Sequence, residues 1–314
     1  MTLRLGTRGS ALALTQSGLV RDAIVTSTGR DVELVEIVTP GDRSGAPIAQ
    51  LGVGVFVSAL RDALLAKEID LAVHSYKDLP TAPPGELVIA AVPARADFRD
   101  VLITRNGATL SQLGVGARIG TGAPRRIAQL LAVNPGLTPV PVRGNVDTRL
   151  RKLANGDLDA LVLARAGLLR LGRADEATEV LEPEIMLPAP AQGALAIECR
   201  ADDLHLRELL VELDHPHTRA AVTAERTLLG LLDAGCSAPV AALAEVIGAD
   251  IAGQAPRIRL RGGVFSRDGQ VALRLTRSVA ATEETLLAEA ERAGRELAAD
   301  LDAQGARTVL GVAP

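Results

Sequence analysis

Aromatic side chains are scarce in this chain of 314 residues, which has no Trp, one Tyr and three Phe. The core is therefore expected to consist of Leu, Val, Ile and Ala, as in parallel sheets covered by helices. The same scarcity removes the aromatic platforms on which proteins stack nucleic-acid bases. The net charge of −4, with no block of Lys or Arg, also argues against a nucleic-acid partner.

Cysteine is equally rare, and the two thiols, Cys199 and Cys236, are too few for a disulfide framework in a chain of this length. A reducing cytoplasm is therefore the expected location. No apolar run reaches membrane-spanning length, and the N-terminus predicts a strand rather than a signal peptide. His215 and His217 have no Cys ligand nearby, so we expect no metal site.

Strand and helix patterns alternate along the first two thirds of the chain, which favours doubly wound α/β sheets. The predicted strands are Leu3–Gly6, Val32–Val38, Ile69–Val73, Val101–Thr104, Arg118–Thr121, Val140–Val142, Ala160–Ala164 and Gly193–Cys199, the last returning to the first sheet. Between them, the segments 124–131 and 146–153 are predicted helices, the first with Pro124 in its first turn. The stretch Gly41–Gly54 is predicted to be a long loop, of the kind that often forms a lid.

The first helix is predicted to follow the N-cap Ser10 and to place Leu12, Leu19, Ala23 and Ile24 toward the core. A second helix is predicted to use the apolar spacing Phe56, Leu60, Ala63 and Leu64.

A different pattern begins near residue 216, where a long helix, Arg219–Asp233, precedes Gly235 and Cys236. Two strands, Arg257–Phe265 and Gln270–Arg277, then flank a turn, and a helix, Glu283–Leu301, follows. The sequence thus predicts three domains. They are residues 1–98 with 194–213 (α/β, with the lid loop), residues 99–193 (α/β, arginine-rich) and residues 214–314 (a smaller α+β domain).

Polar residues concentrate in four segments that follow predicted strands: Gly6–Ser10, His74–Asp78, Thr121–Arg126 and Arg143–Arg149. Ligands of such sheets bind outside the carboxyl ends of the strands, so we expect these segments to line a cleft between two lobes. Concentrated arginines in an acidic protein suggest a small anionic ligand, because guanidinium grips carboxylate or phosphate directionally. A solvated basic face is the alternative.

Asp78 has two structural explanations, as a helix cap or as a salt-bridge partner. His74, Ser75 and Asp78 also resemble the members of a hydrolase triad, but no nucleophile elbow or oxyanion-hole pattern accompanies them. Arg125 and Arg126 stand at the start of a predicted helix, where cations oppose the helix dipole. Their position suggests that an anion is bound there.

Together these segments resemble the hydroxymethylbilane synthase (porphobilinogen deaminase) family. The resemblance is carried, in family order over nearly the whole chain, by Gly6–Ser10, Phe56 with its helix, Val73–Pro80, Arg125-Arg126, Val142–Leu150, Leu187–Ala194, Ile197–Arg200, Ala224–Arg226 and Gly235-Cys236.

This resemblance implies two domains like those of a periplasmic binding protein plus a third domain. It implies a transferase that condenses four porphobilinogens, with release of ammonia, into the linear tetrapyrrole hydroxymethylbilane. Asp78 matches the catalytic acid, and Cys236 matches the thioether attachment site of a dipyrromethane cofactor. The matching cofactor-binding residues are Ser75, Lys77, Arg125, Arg126, Arg143, Gly144 and Arg149, and the matching substrate-binding residues are Arg8, Ser10 and Arg170.

These roles agree with the chemistry, because each pyrrole ring carries an acetate and a propionate that arginines bind. A carboxylate stabilises the cation that loss of ammonia leaves, and it can move protons. Three positions depart from the family pattern: Val53 where many members have Lys, Gly122-Ala123 where many have two Ser, and Tyr76 where Met or Leu is common. A two-lobed anion-binding protein without catalysis is the competing hypothesis, because a fold alone does not fix a function. A monomer is expected.

Overall fold

The computed structural model describes residues 2–38, 55–82, 85–232, 238–248 and 255–311. Within them the strands are β1 (Leu3–Thr7), β2 (Val32–Glu36), β3 (Leu71–Ser75), β4 (Leu87–Ala91), β5 (Asp100–Thr104), β6 (Arg118–Gly120), β7 (Thr138–Val140), β8 (Ala160–Ala164), β9 (Glu179–Leu181), β10 (Leu195–Arg200), β11 (Val240–Ile247), β12 (Arg257–Phe265) and β13 (Ala272–Ala280). The helices are α1 (Ala11–Thr28), α2 (Val55–Leu65), α3 (Pro124–Val133), α4 (Val146–Ala154), α5 (Arg165–Arg170), α6 (Leu204–Leu210), α7 (Pro216–Leu231), α8 (Leu286–Ala303) and α9 (Ala306–Leu310). In this described part, no helix combines the length and the apolar character that crossing a membrane requires.

The chain divides into two compact units, residues 1–95 with 194–219 and residues 96–193 with 220–314. The first unit contains a five-stranded sheet in the order β2-β1-β3-β10-β4. Strand β1 runs parallel to β2 and β3, whereas β10 runs antiparallel to β3 and β4. The predicted return of Gly193–Cys199 to the first sheet is confirmed, because β10 lies inside that sheet. Strand β4 was not predicted.

Successive side chains of β3 point to opposite faces of the sheet. Helices cover both of these faces. Leu71 and Val73 pack with Ile24 of α1 on one face. Ala72 packs with Leu60 of α2 on the other. The predicted doubly wound arrangement is therefore confirmed for this sheet.

The buried face of α1 differs from the prediction. Ser10 caps the helix as expected, since its hydroxyl accepts a hydrogen bond from the Ala13 N–H at 3.3 Å. Leu19, predicted to lie in the core, is 52% exposed. The buried residues of α1 are Gln16, Ser17, Val20 and Ile24.

The second unit contains another five-stranded sheet, in the order β7-β6-β8-β5-β9. Strand β6 runs parallel to β7 and β8, and β5 runs antiparallel to β8 and β9, so the pattern of the first sheet recurs. Leu163 packs with Leu153 of α4 on one face, and Val162 packs with Leu130 of α3 on the other. Helices again cover both faces.

An antiparallel sheet, β11-β12-β13, forms the C-terminal part of the second unit, with α7 and α8 packed on one face. The turn from β12 to β13 is closed by a 3.0 Å hydrogen bond from the Gly269 N–H to the Ser266 carbonyl. Gly269 has φ +74°, which favours glycine. The predicted fold class, α/β with a smaller α+β part, is confirmed, whereas the predicted domain boundaries stay a prediction.

Candidate active site

Two of the predicted site segments lie at the same edge of the first sheet. Strands β1 and β3 are parallel neighbours, with Gly6 opposite Ala72, so their carboxyl ends share one edge. Arg8 and Ser10 follow β1, and both are half-buried. The segment 75–78 follows β3 directly, which groups these residues as the sequence predicted.

Asp78 ends a single 3₁₀ turn, Tyr76–Asp78, that continues from β3. The Tyr76 N–H donates to the Ala194 carbonyl at 3.1 Å, and the Leu79 N–H donates to the Tyr76 carbonyl at 3.2 Å. The Tyr76 side chain packs beside Leu79 and Ala196, so the turn is held from both sides.

The carboxylate of Asp78 is exposed. Neither structural explanation for this residue applies within the described residues, where Asp78 neither caps a helix with its side chain nor forms an ion pair. A hydrogen-bonded strand and turn thus expose a carboxylate that forms no hydrogen bond or ion pair with the described residues. The neighbouring Lys77 is half-buried.

His74 and Ser75 do not form a hydrolase triad with Asp78. The Ser75 hydroxyl pairs with the Gln16 amide, whose Nε2 lies 3.1 Å from Ser75 Oγ. His74 lies inside β3 opposite Ala196, not in the loop after the strand as predicted, and it is buried. These contacts leave no hydrogen-bonded chain that joins Ser75, His74 and Asp78.

His74 instead faces Glu198, a fully buried carboxylate that the sequence analysis did not single out. His74 Nε2 lies 3.1 Å from Glu198 Oε2, and Arg61 donates to both carboxylate oxygens. Burial alone would raise the pKa of Glu198, but the close His74 ring and the hydrogen bonds from Arg61 hold this pKa below its ordinary value. The sequence feature that indicates such a buried ion pair is a Glu inside an apolar strand, because a buried charge requires a partner.

Three arginine-containing segments lie at one edge of the second sheet. Strands β6, β7 and β8 are mutually parallel, so the segments that follow them, 121–126, 141–149 and 165–170, leave the sheet on the same side. This arrangement groups the arginines of the second sheet: Arg125, Arg126, Arg143, Arg149 and Arg170.

Arg125 and Arg126 are buried at the start of α3, and both bind Asp100. The Arg125 and Arg126 Nη2 atoms lie 2.8 Å and 2.7 Å from the Asp100 carboxylate oxygens. The anion inferred at this helix start is therefore present within the chain itself. Burial lowers the pKa of Arg125 despite the nearby Asp100.

Arg143 is exposed, and no acidic side chain of the described residues pairs with it. The Arg149 Nε donates to the Gly144 carbonyl at 2.8 Å, so the turn at Gly144 orients Arg149. Gly144 has φ +99°, and a Cβ atom there would lie 2.9 Å from the Thr148 Cβ. The turn that holds Arg149 therefore requires glycine.

Arg170 is half-buried and donates from Nη2 to the Gly193 carbonyl at 2.7 Å. Burial lowers its pKa to about 10. Across the described ranges no carboxylate lies within salt-bridge distance of it. Arg170 thus has the features of an anion-binding group, although the sequence analysis identified it by resemblance alone.

Several predicted positions lie outside the described residues: Cys236, Val53 and the lid loop Gly41–Gly54.

Gly122 and Ala123, which stand where many members of the family have two Ser, lie within the described residues. A Cβ at Gly122 would lie 2.9 Å from the Val142 carbonyl oxygen, so the backbone there leaves no room for Ser. The Ala123 N–H donates to the Thr121 hydroxyl at 3.3 Å.

The donor set at this second edge fits a ligand that carries several carboxylates. Arg143 is unpaired, Arg170 has no acidic partner, and Arg125 and Arg126 share one carboxylate, all within the described part of the chain. Guanidinium groups bind carboxylates through paired, directional hydrogen bonds.

Comparisons with known proteins agree with this chemistry. Residues 3–208 match a family model described as "Porphobilinogen deaminase, dipyromethane cofactor binding domain", and residues 219–303 match "Porphobilinogen deaminase, C-terminal domain". The chain is 56% identical over 313 residues to a porphobilinogen deaminase of Nocardia farcinica, covering 98% of this chain and 88% of that protein. It is 54% identical over 310 residues to one of Mycobacterium tuberculosis, covering 98% of both. Among solved structures, a periplasmic substrate-binding protein of an ABC transporter from Coxiella burnetii aligns with TM-score 0.43 and 15% identity, over 67% of this chain and 91% of that one.

Proposed function

The chain belongs to the porphobilinogen deaminase family, and on that premise we propose that Asp78 is its catalytic carboxylate and Cys236 its cofactor attachment site. The enzyme is a transferase that condenses four porphobilinogens, with release of ammonia, into hydroxymethylbilane in porphyrin biosynthesis. Its cofactor is dipyrromethane. The competing hypothesis of an anion-binding protein without catalysis is therefore set aside.

The cofactor supplies the primer to which the substrate molecules are added. The residues proposed to hold it are Cys236, through a thioether, and Ser75, Lys77, Arg125, Arg126, Arg143, Gly144 and Arg149. Support comes from Arg143, which pairs with no acidic side chain of the described residues, and from Arg125 and Arg126, which share the single carboxylate of Asp100 there. Arg8, Ser10 and Arg170 are proposed to bind the carboxylates of porphobilinogen.

The single observation that carries the proposal for Asp78 is its exposed carboxylate, which is unpaired among the described residues and stands on a hydrogen-bonded turn. Structural carboxylates of this chain are paired with arginines, as Asp70, Asp97 and Asp159 are. An unpaired carboxylate can accept a proton from a pyrrole nitrogen, and it can stabilise positive charge that develops nearby. Removing its charge should therefore slow the chemical step and leave the fold unchanged.

Asp78→Asn tests this role. We expect kcat to fall by about 10²- to 10⁴-fold, the range typical of a lost acid–base group. The melting temperature should not change, because the side chain forms no hydrogen bond or ion pair with the described residues. Intact mass should still show the two added pyrrole rings. Asp62→Asn, which changes an exposed carboxylate on α2, is the matched control and should keep full activity.

Retention of more than about a tenth of kcat in Asp78→Asn would remove Asp78 from the catalytic role. For Cys236, the expected mass of the purified chain includes two pyrrole rings, and Cys236→Ser abolishes that addition. An active protein of unmodified mass would refute the attachment site.

We also infer a cytoplasmic monomer that has no nucleic-acid partner. The support is compositional: a net charge of −4, no basic block and one Tyr as the only aromatic besides three Phe. Light scattering after size exclusion tests the oligomeric state, and a dimer mass would refute it.

A further inference from the structure

A buried carboxylate connects three donors in the second unit. Asp100, the first residue of β5, is 0% exposed. Its Oδ2 accepts from Arg125 Nη2 at 2.8 Å, and its Oδ1 accepts from Arg126 Nη2 at 2.7 Å and Arg126 Nε at 3.1 Å. The amide of Gln192 also donates to Oδ1, at 2.9 Å. No sequence motif singles out Asp100.

This cluster has an excess of positive charge. Arg125 and Arg126 are 4% and 5% exposed, and Asp100 is the one carboxylate of the described residues that pairs with either. Two guanidiniums and one carboxylate leave one net positive charge. The dipole of α3 adds to it, because the N-cap Ala123 makes no side-chain capping bond. Since an unpaired buried charge is unfavourable, the cluster favours one further negative group.

The two guanidiniums are also fixed in orientation. Arg125 Nη1 donates to the Leu187 carbonyl at 2.6 Å, and Arg126 Nη1 donates to the Val162 carbonyl at 3.1 Å. Each planar group is therefore held both by Asp100 and by a backbone oxygen. Its remaining N–H groups point in set directions, which reduces the entropy lost when a ligand binds.

We propose that Asp100 is a positioning residue for cofactor assembly, acting through Arg125 and Arg126. It holds both guanidiniums so that their remaining N–H groups bind a carboxylate of dipyrromethane, and it leaves the cluster one positive charge for that carboxylate. This inference rests on the proposed cofactor-binding role of the two arginines.

The test follows cofactor loading rather than activity. The full chain is prepared in cells that make no porphobilinogen, then mixed with porphobilinogen, and the gain of two pyrrole rings is timed by intact mass. Asp100→Asn preserves the shape of the side chain but removes its charge, and we expect loading to slow at least about tenfold. Asp159→Asn removes a carboxylate from Arg118 on the same sheet and should load at the unmodified rate.

A double variant separates positioning from general structural damage. If Asp100 acts through the guanidiniums, adding Asp100→Asn to Arg126→Met should slow loading clearly less than Asp100→Asn slows the unmodified chain, because only Arg125 is left to position. Independent structural effects would multiply, and that result would overturn the proposal.

If Asp100→Asn does not fold, the loading rate of Asp100→Glu tests the proposal instead. This variant keeps the charge and displaces the carboxylate by one methylene. Slower loading by that variant supports positioning, and loading at the unmodified rate overturns it. An unmodified chain that gains no mass would refute the proposed attachment at Cys236 instead. Equal loading by the unmodified chain and folded Asp100→Asn would overturn the positioning role alone.

Discussion

The guanidinium of Arg61, on α2, donates to the carboxylate of Glu198, on β10, through three hydrogen bonds of 2.8 Å, 3.0 Å and 3.1 Å. Glu198 is 0% exposed, so its charge depends on partners within the protein. The imidazole of His74 is the second neighbour of this carboxylate. The pair joins α2 to β10, an interior strand of the first sheet that lies next to β3, from which the turn with Asp78 continues.

Arg61→Met should lower the free energy of unfolding by about 3–5 kcal/mol, the usual result when one partner of a buried ion pair is removed. Urea denaturation at pH 7 measures the change. Arg292→Met provides the control, because Arg292 pairs with Glu289 and Glu296 on the surface of α8. Exposed pairs contribute about 0–1 kcal/mol. A loss at Arg61 no larger than at Arg292 would contradict the assigned importance of the buried pair.

The same cluster shows what apolar periodicity in the sequence fails to predict. The pattern of Leu12, Leu19, Ala23 and Ile24 includes the buried Ile24, but it also includes the exposed Leu19 and omits the buried Gln16. Gln16 is buried because its amide pairs with the hydroxyl of Ser75, 59 residues away in the sequence. A polar residue can be buried when it has a hydrogen-bond partner, and local sequence does not reveal that partner.

The sequence predicted which segments form the site, but not the contacts among their side chains. Parallel strands bring the segments after β6, β7 and β8 to one edge, and this follows from the strand–helix alternation alone. The sequence also indicated an anion at the start of α3, but it did not reveal that Asp100 supplies one. Asp100 begins a strand 25 residues before Arg125, and nothing local distinguishes it from a surface Asp.

Strand β11 was not predicted, because its sequence, VAALAEVI, lacks the alternation typical of a half-buried strand.

Arg170→Met should affect substrate binding more than the stability of the fold. Replacing Arg170 with Met removes a charge that burial disfavours but also the hydrogen bond to the Gly193 carbonyl, so the two effects oppose each other and the free energy of unfolding should change by less than about 1 kcal/mol. If Arg170 binds a substrate carboxylate, kcat/KM for porphobilinogen should fall about 10- to 100-fold, which matches a charged hydrogen bond of about 1.5–3 kcal/mol. Steady-state kinetics and urea denaturation give the two values.

The matched control for Arg170 is Arg173→Met, three residues along, where the guanidinium pairs with Asp147 and Glu176. That variant should leave kcat/KM unchanged. A clear loss of stability in Arg170→Met with normal kinetics would show that Arg170 has only a structural role.

Stability should fall in acid. Burial opposes the ionisation of Asp70, Asp97 and Asp100, but hydrogen bonds and charges from arginines outweigh it, and the pKa of each lies below its ordinary value. A hydrogen bond from Arg118 lowers the pKa of Asp159 to about 2. The unfolded chain therefore takes up protons at a higher pH than the folded chain does.

The free energy of unfolding should consequently decrease from about pH 5 to about pH 2, as these carboxylates protonate on unfolding. Urea denaturation at a series of pH values measures the slope. Asp100→Asn removes one such group, so its slope should be shallower than that of the unmodified chain. A free energy of unfolding that stays constant between pH 7 and pH 3 would contradict the lowered pKa values.

The two thiols should differ in reactivity, and the difference reports on cofactor attachment. Cys199 is 0% exposed in β10, and burial raises its pKa to about 11. At pH 8 only about one such thiol in a thousand is ionised, and the thiolate is the reactive form. The folded, cofactor-loaded chain should therefore not react with an aromatic disulfide reagent.

After unfolding in guanidinium chloride the cofactor-loaded chain should show one reactive thiol, because the thioether occupies Cys236. The cofactor-free chain should show two thiols, and Cys236→Ser one. Two thiols in the unfolded, loaded chain would exclude Cys236 as the attachment site, and rapid reaction of the folded Cys236→Ser chain would contradict the burial of Cys199.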